Sequence, residues 1–129
     1  MSLPNKIGYV LLKLFTRTIL ILFLSILSIT AITSHAATAS YYGKQFHLKR
    51  TASGEIFDMH KMTTASNSHK MGTKLKVTNV ANNKKVRVRV NDTGGFKKYG
   101  RTLDLSRGAF AKIADLDKGL CKVKIKVIK

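Results

Sequence analysis

Residues 86–95 read V-R-V-R-V-N-D-T-G-G, a valine–arginine alternation that runs into one carboxylate and two glycines. A period of two marks a strand with one buried and one solvated face. Just before it, Ala81-Asn82-Asn83-Lys84 forms a turn in which asparagine tolerates positive φ, so a hairpin is expected. The other arm is K-L-K-V-T-N-V over 74–80, and the alternation returns in C-K-V-K-I-K-V over 121–127. One short helix fits between, with Ser106 as N-cap, Arg107 to Ala114 as body, and Phe110, Ile113 and Ala114 inward. Gly119 separates it from the last strand. Short strands with one brief helix over roughly 90 residues predict a small all-β barrel. Closure would also remove exposed strand edges from a domain with no disulfide to staple it.

The alternation points Lys74, Lys76, Arg87, Arg89, Lys122, Lys124 and Lys126 outward, and Cys121, Val123, Ile125 and Val127 inward. Seven outward cations with no acid between them repel across neighbouring strands. They make either a solvated face or a surface for an anionic partner. The whole chain of 129 residues carries 24 basic against 6 acidic side chains, a formal charge of +18. Its 44% hydrophobic content excludes a disordered basic tail. The lone Cys121 excludes an internal disulfide and any multi-cysteine zinc site.

Toward the N-terminus the composition changes. Residues 1–17 hold Lys6, Lys13 and Arg17 and no acid, and Thr18 to Ile32 hold eleven apolar residues and no charge. Ser34-His35-Ala36 and Ala37-Thr38-Ala39 both fit a small-x-small cleavage rule. This order predicts a secretory signal peptide over 1–36, cleaved after Ala36 or Ala39, and a barrel domain over 37–129. The apolar run reaches only about 22 Å as a helix, short of a bilayer core of roughly 30 Å. An uncleaved anchor is the alternative. No cysteine stands near the cleavage site, so a lipoprotein is not expected. Loss of the leader removes three cations and leaves +15. Export favours cell-wall polymer or anionic lipid over nucleic acid as the partner.

The acids are Glu55, Asp58, Asp92, Asp104, Asp115 and Asp117. Asp115 and Asp117 read as a turn after the helix. Glu55 and Asp58 follow the turn T-A-S-G at 51–54, Asp92 ends a strand beside glycines, and Asp104 precedes the helix. Each also has a purely structural reading. Asp92 suits an Asx-turn, Asp104 suits the helix N-terminus, and Glu55 and Asp58 suit ion pairs with surplus lysines.

Taken in order, A-S-Y-Y-G (39–43), F-H (46–47), T-A-S-G-E-I-F-D (51–58), G-T-K-L-K-V-T-N (72–79), V-R-V-N-D-T-G-G-F (88–96) and G-R-T-L-D-L-S-R-G-A-F (100–110) resemble the RlpA, or rare lipoprotein A, family. The resemblance implies a six-stranded double-psi β-barrel with an open groove. It also implies an endolytic lytic transglycosylase, a lyase that cuts the MurNAc–GlcNAc linkage of peptidoglycan and prefers strands stripped of peptide. By the same resemblance Glu55 and Asp92 match the catalytic carboxylates and Asp58 a further acid. Asp104 resembles a groove aspartate of the related expansins. No cofactor, metal or nucleic acid is implied. The expected protein is a monomer secreted across the inner membrane to the periplasm or cell wall, without a stable membrane span after cleavage.

Three departures stand out. Ser66 occupies the family's histidine position, with His69 three residues on; N-D-R-G-P-F becomes N-D-T-G-G-F; and the usual tryptophan is Tyr41. The family's C-terminal glycan-binding domain has no counterpart within these residues. A lytic transglycosylase needs one residue acting as acid and then base, because the muramic hydroxymethyl oxygen is the nucleophile. Asp92 is the expected acid, with Glu55 beside it as the like charge that keeps it protonated. Ser66 is a reduced hydrogen-bonding substitute for the histidine, and Asp58 and Asp104 are supporting groups. Tyr41, Tyr42 and Phe96 are candidates to stack on sugar rings, with core packing as the other reading. A non-catalytic, expansin-like wall-binding module is the alternative function.

Overall fold

The computed structural model describes residues 6–27 and 37–129. Helix α1, Lys6–Leu27, forms one unit and the barrel another. Among the described residues no helix is long and apolar enough to cross a membrane. The cleavage position after Ala36 lies outside the described residues, whereas Ala39 lies inside the first strand.

The barrel has strands β1 (Ala37–Tyr41), β2 (Thr63–Ser66), β3 (Lys74–Asn79), β4 (Lys85–Asp92), β5 (Leu103–Leu105) and β6 (Cys121–Ile128), with helix α2 (Arg107–Ile113) between the last two. They close in the order β1-β5-β2-β4-β3-β6. Two contacts are parallel, β1 with β5 and β2 with β4, and the rest are antiparallel. Every strand therefore has a neighbour on both sides, and the expected all-β barrel with one short helix is what forms. Among the described residues its core, from Ala37 and Ala39 through Leu75, Val88 and Leu105 to Phe110 and Val123, is made of barrel residues.

The β3–β4 hairpin turns where the sequence places it, with Asn83 at φ 58°. Its asparagines also serve the helix. Asn79 and Asn82 each donate an Nδ2–H to the carbonyl of Ile113, at 2.7 and 2.9 Å, satisfying an acceptor that the helix end leaves open. At the other end the Ser106 hydroxyl accepts from the Ala109 N–H, as expected of the N-cap. The inward alternation of β6 fades toward its end. Val123 is fully buried and Ile125 half-buried, but Val127 is 57% exposed.

Candidate functional site

On β4, Val86, Val88 and Val90 point into the barrel, and strict alternation would send Asp92 the same way. A bulge prevents this. Thr64 of β2 pairs with Val90, but the next residue, Ala65, pairs with Asp92, so Asn91 is the extra residue. A bulge of this kind re-aims the side chain that follows it. Ala65 also pairs with Asp104 of β5 on its other side. The two aspartates thus flank one small, buried residue, their backbones about 10 Å apart across two interstrand spacings.

They open into one cleft of about 620 Å³, whose lining includes Tyr42, Ala65, Asp92, Phe96, Arg101 and Asp104. Asp92 is held from two sides. Its Oδ1 accepts from the N–H groups of Ala52 and Thr93, both at 2.9 Å, and its Oδ2 accepts from the Tyr42 hydroxyl at 2.6 Å. The Tyr42 hydroxyl is pushed far up by burial, by that hydrogen bond and by the charge of Asp92, so it remains a donor. Asp104 Oδ1 accepts from the Ser40 hydroxyl at 2.7 Å, with Arg101 Nη1 at 3.9 Å. Burial pushes the Asp104 carboxyl up; the Ser40 hydrogen bond and Arg101 pull against this, and the Asp92 charge adds to it.

Glu55 lines a different cleft from Asp92, although its carboxylate is hydrogen-bonded to Asn91, the residue before Asp92. Glu55 lines a second cleft of about 380 Å³ with Asp58, Lys61, Arg89 and Asn91, which shares no lining residue with the first. Arg89 grips it with two hydrogen bonds, at 2.6 and 2.9 Å, and Asn91 Nδ2 donates a third at 3.1 Å. These bonds lower its carboxyl below the ordinary value, so it is a fixed anion and an ion-pair partner. The like charge acting on the buried carboxyl in the first cleft is Asp92 acting on Asp104.

The remaining candidates have local duties. Asp58 Oδ1 accepts from the His60 N–H at 2.9 Å. His47, Asp58 and His60 bring ligand atoms within 4.8 Å of one another. However, His47 Nδ1 already accepts from the Met59 N–H at 3.1 Å, which places the ring proton on Nε2. Ser66 is 1% exposed and its hydroxyl meets His69 Nδ1 at 2.9 Å; neither residue lines either cleft. Tyr41 packs on Phe110 and its hydroxyl donates to the Leu116 carbonyl.

Tyr42 and Phe96 are buried in a small second core with Phe57 and Ala65, so they form the floor of the cleft and present no open ring face. The exposed aromatic rings on the cleft are Tyr99, 68% exposed, and Phe46, 44% exposed. Tyr99 follows two lysines with no apolar pattern to mark it, and Phe46 was noted only within the F-H stretch. Arg101 is a further cleft residue absent from the sequence-based candidates. Its guanidinium lies 5.8 Å from the centre of the Phe96 ring and 5.5 Å from that of Tyr99. Its place three residues before Asp104 was the available signal.

The lytic transglycolase family matches residues 34–125. The endolytic peptidoglycan transglycosylase RlpA of Campylobacter jejuni is 44% identical over 90 residues, 70% of this chain and 32% of that protein. The Vibrio cholerae protein of the same name is 44% identical over 95 residues, 74% of this chain and 36% of that one. The chain therefore spans about a third of the length of these curated relatives. Among solved structures, a point mutant of Clavibacter michiganensis expansin in complex with cellohexaose has a TM-score of 0.59 at 22% identity, over 73% of this chain and 50% of that one. Streptomyces papain inhibitor also gives 0.59, at 23% identity, over 73% of this chain and 93% of that one. These two likenesses show the fold.

Proposed function

Because the chain belongs to the lytic transglycolase family, we propose that it is an endolytic peptidoglycan lytic transglycosylase that uses the Asp92–Asp104 cleft. The supporting observation is the pair of carboxyls flanking Ala65, with burial raising that of Asp104. In this reading Asp104 donates its proton to the glycosidic oxygen as the bond to the muramic anomeric carbon breaks. The muramic 6-hydroxyl oxygen then attacks that carbon and returns its proton to Asp104, leaving a 1,6-anhydro end. One residue acts as acid and then base. Asp92, fixed by Tyr42, Ala52 and Thr93, places negative charge beside the developing positive charge.

Arg50, Lys98 and Arg101 also line the cleft, which suits the lactyl carboxylate that muramic acid exposes once its peptide is removed. Peptide-free strands are therefore the preferred substrate. The test is mass spectrometry of denuded glycan after incubation with the barrel unit. Anhydromuramic ends that disappear in Asp104→Asn are expected. Sustained wall binding without such ends would instead establish the non-catalytic module.

The leader is proposed to direct export to the periplasm or wall, with cleavage after Ala36. Cleavage after Ala39 would remove the residues that pair with Cys121 to Val123 and open the barrel between β1 and β6. N-terminal sequencing of the exported protein should begin at Ala37; a start at Ser40 would refute this.

A further inference from the structure

Seven cations, Lys74, Lys76, Lys85, Arg87, Lys122, Lys124 and Lys126, stand on the outer face of β4, β3 and β6. Strand register sets them in rows. Arg87, Lys76 and Lys126 are directly opposite one another across three strands, and Lys85, Thr78 and Lys124 form the next row. Cations thus lie roughly 7 Å apart along a strand and about 5 Å apart across it. Among the described residues none of the seven stands within ion-pair distance of a carboxylate; Arg89, at the margin, is the one that takes Glu55. Directly opposed like charges destabilise a sheet, so the fold maintains this field against its own interest.

The kind of partner follows from the shape of the field. It is two-dimensional, lies on a sheet face outside both clefts, and carries no aromatic side chain on which a base or sugar could stack. Six of the seven are lysines, which are point charges rather than bidentate forks. Such a lattice matches a plane of negative charge better than a single bound strand. We propose that this face docks the barrel on a bilayer rich in anionic phospholipid headgroups. In the closed ring β5, which carries Asp104, is three strands from β3 in either direction. A barrel resting on β4-β3-β6 therefore turns Asp104 away from the membrane, while Asp92 lies at the end of β4, on the flank of the docking face. The proposal is independent of catalysis and stands or falls on binding.

The experiment is co-sedimentation of the barrel unit, residues 37–129, with phosphatidylcholine vesicles containing phosphatidylglycerol and with pure phosphatidylcholine vesicles. The expected result is binding to the anionic vesicles alone, weakening as salt rises. Each cation at such a surface is worth about five-fold in partitioning, so Lys76→Gln/Arg87→Gln/Lys126→Gln should lose about 100-fold. A control, Lys44→Gln/Lys112→Gln/Lys118→Gln, removes the same charge elsewhere on the exposed surface and should lose far less. Circular dichroism establishes that both variants are folded. Three outcomes would overturn the proposal: equal binding to both vesicle types, equal losses in the two variants, or binding to isolated wall sacculi with none to anionic vesicles.

Discussion

The two halves of the barrel use strands to opposite electrical ends. Over Lys85–Val90 of β4, over β3 and over the first half of β6 the alternation holds, and each outward position carries a cation or threonine. Around β1, β5 and β2 the strands are three to five residues long, all four residues of β2 are buried, and the register is broken by a bulge. Asp104 sits there, and Asp92 meets it from the end of β4, just past the bulge at Asn91. Regular pairing builds a uniform surface, and the one raised carboxylate, Asp104, stands where the strands are short and largely buried.

The largest expected effect separates the halves most sharply. Asp104→Asn should cut anhydromuramic product formation by roughly 100-fold or more, the scale of a lost general acid. The same substitution should raise stability at neutral pH. A carboxyl raised on folding favours the fold below its unfolded pKa, and that contribution is lost as pH rises through the folded value. Asparagine has no such loss. Product assay and thermal melts across pH check both parts, and an Asp104→Asn protein less stable at neutral pH would break the comparison. Activity should likewise decline as pH rises through the raised value of Asp104. Glu55 has the opposite sign: its lowered carboxyl favours the fold above its unfolded value, and this support fades as pH falls.

Tyr42→Phe comes next. It removes the 2.6 Å bond to Asp92 and should cost about 1.5–3 kcal/mol, as for a hydrogen bond to a charged group. Urea denaturation measures this, and a loss near zero would mean that Asp92 is not anchored from below. Asn79→Ala is smaller. It deletes one of two bonds to the Ile113 carbonyl and the bond its Oδ1 accepts from the Ala81 N–H, and should cost about 1–2 kcal/mol by the same measurement, with activity unchanged.

The smallest effect has the opposite sign. Lys76→Glu replaces two opposed like-charge pairs by two attractive ones and should stabilise the barrel by about 0.2–1 kcal/mol per pair. Destabilisation would show that the cationic face is not strained by its own charge.

Legibility in the sequence follows the same division. The β3–β4 hairpin, β6 and the N-cap of α2 were readable because their signals are local: alternation, Asn83 in a turn, and Ser106 before an apolar helix face. T-T-A-S and L-D-L are too short and too buried to alternate, so β2 and β5 were invisible without the resemblance. The same holds for the site. Asp92 was readable as a carboxylate at a strand end, but its partner depends on Ala65 pairing with residues 92 and 104 at once. That register is long-range, and a bulge sets half of it. Glu55 looked equally suitable because nothing local reveals that Arg89 would take it.

The central claim is that Asp92 and Asp104 form one coupled pair, with the Asp104 carboxyl raised and Glu55 outside it. Carbon-detected NMR titration of the aspartate carboxyls tests it most directly, in the wild-type barrel, Asp92→Asn and Glu55→Gln. The account predicts that Asp104 titrates above the ordinary carboxylate range, drops toward that range in Asp92→Asn, and is unmoved in Glu55→Gln. An Asp104 that titrates at or below the ordinary range, or one that follows Glu55→Gln instead of Asp92→Asn, would contradict it.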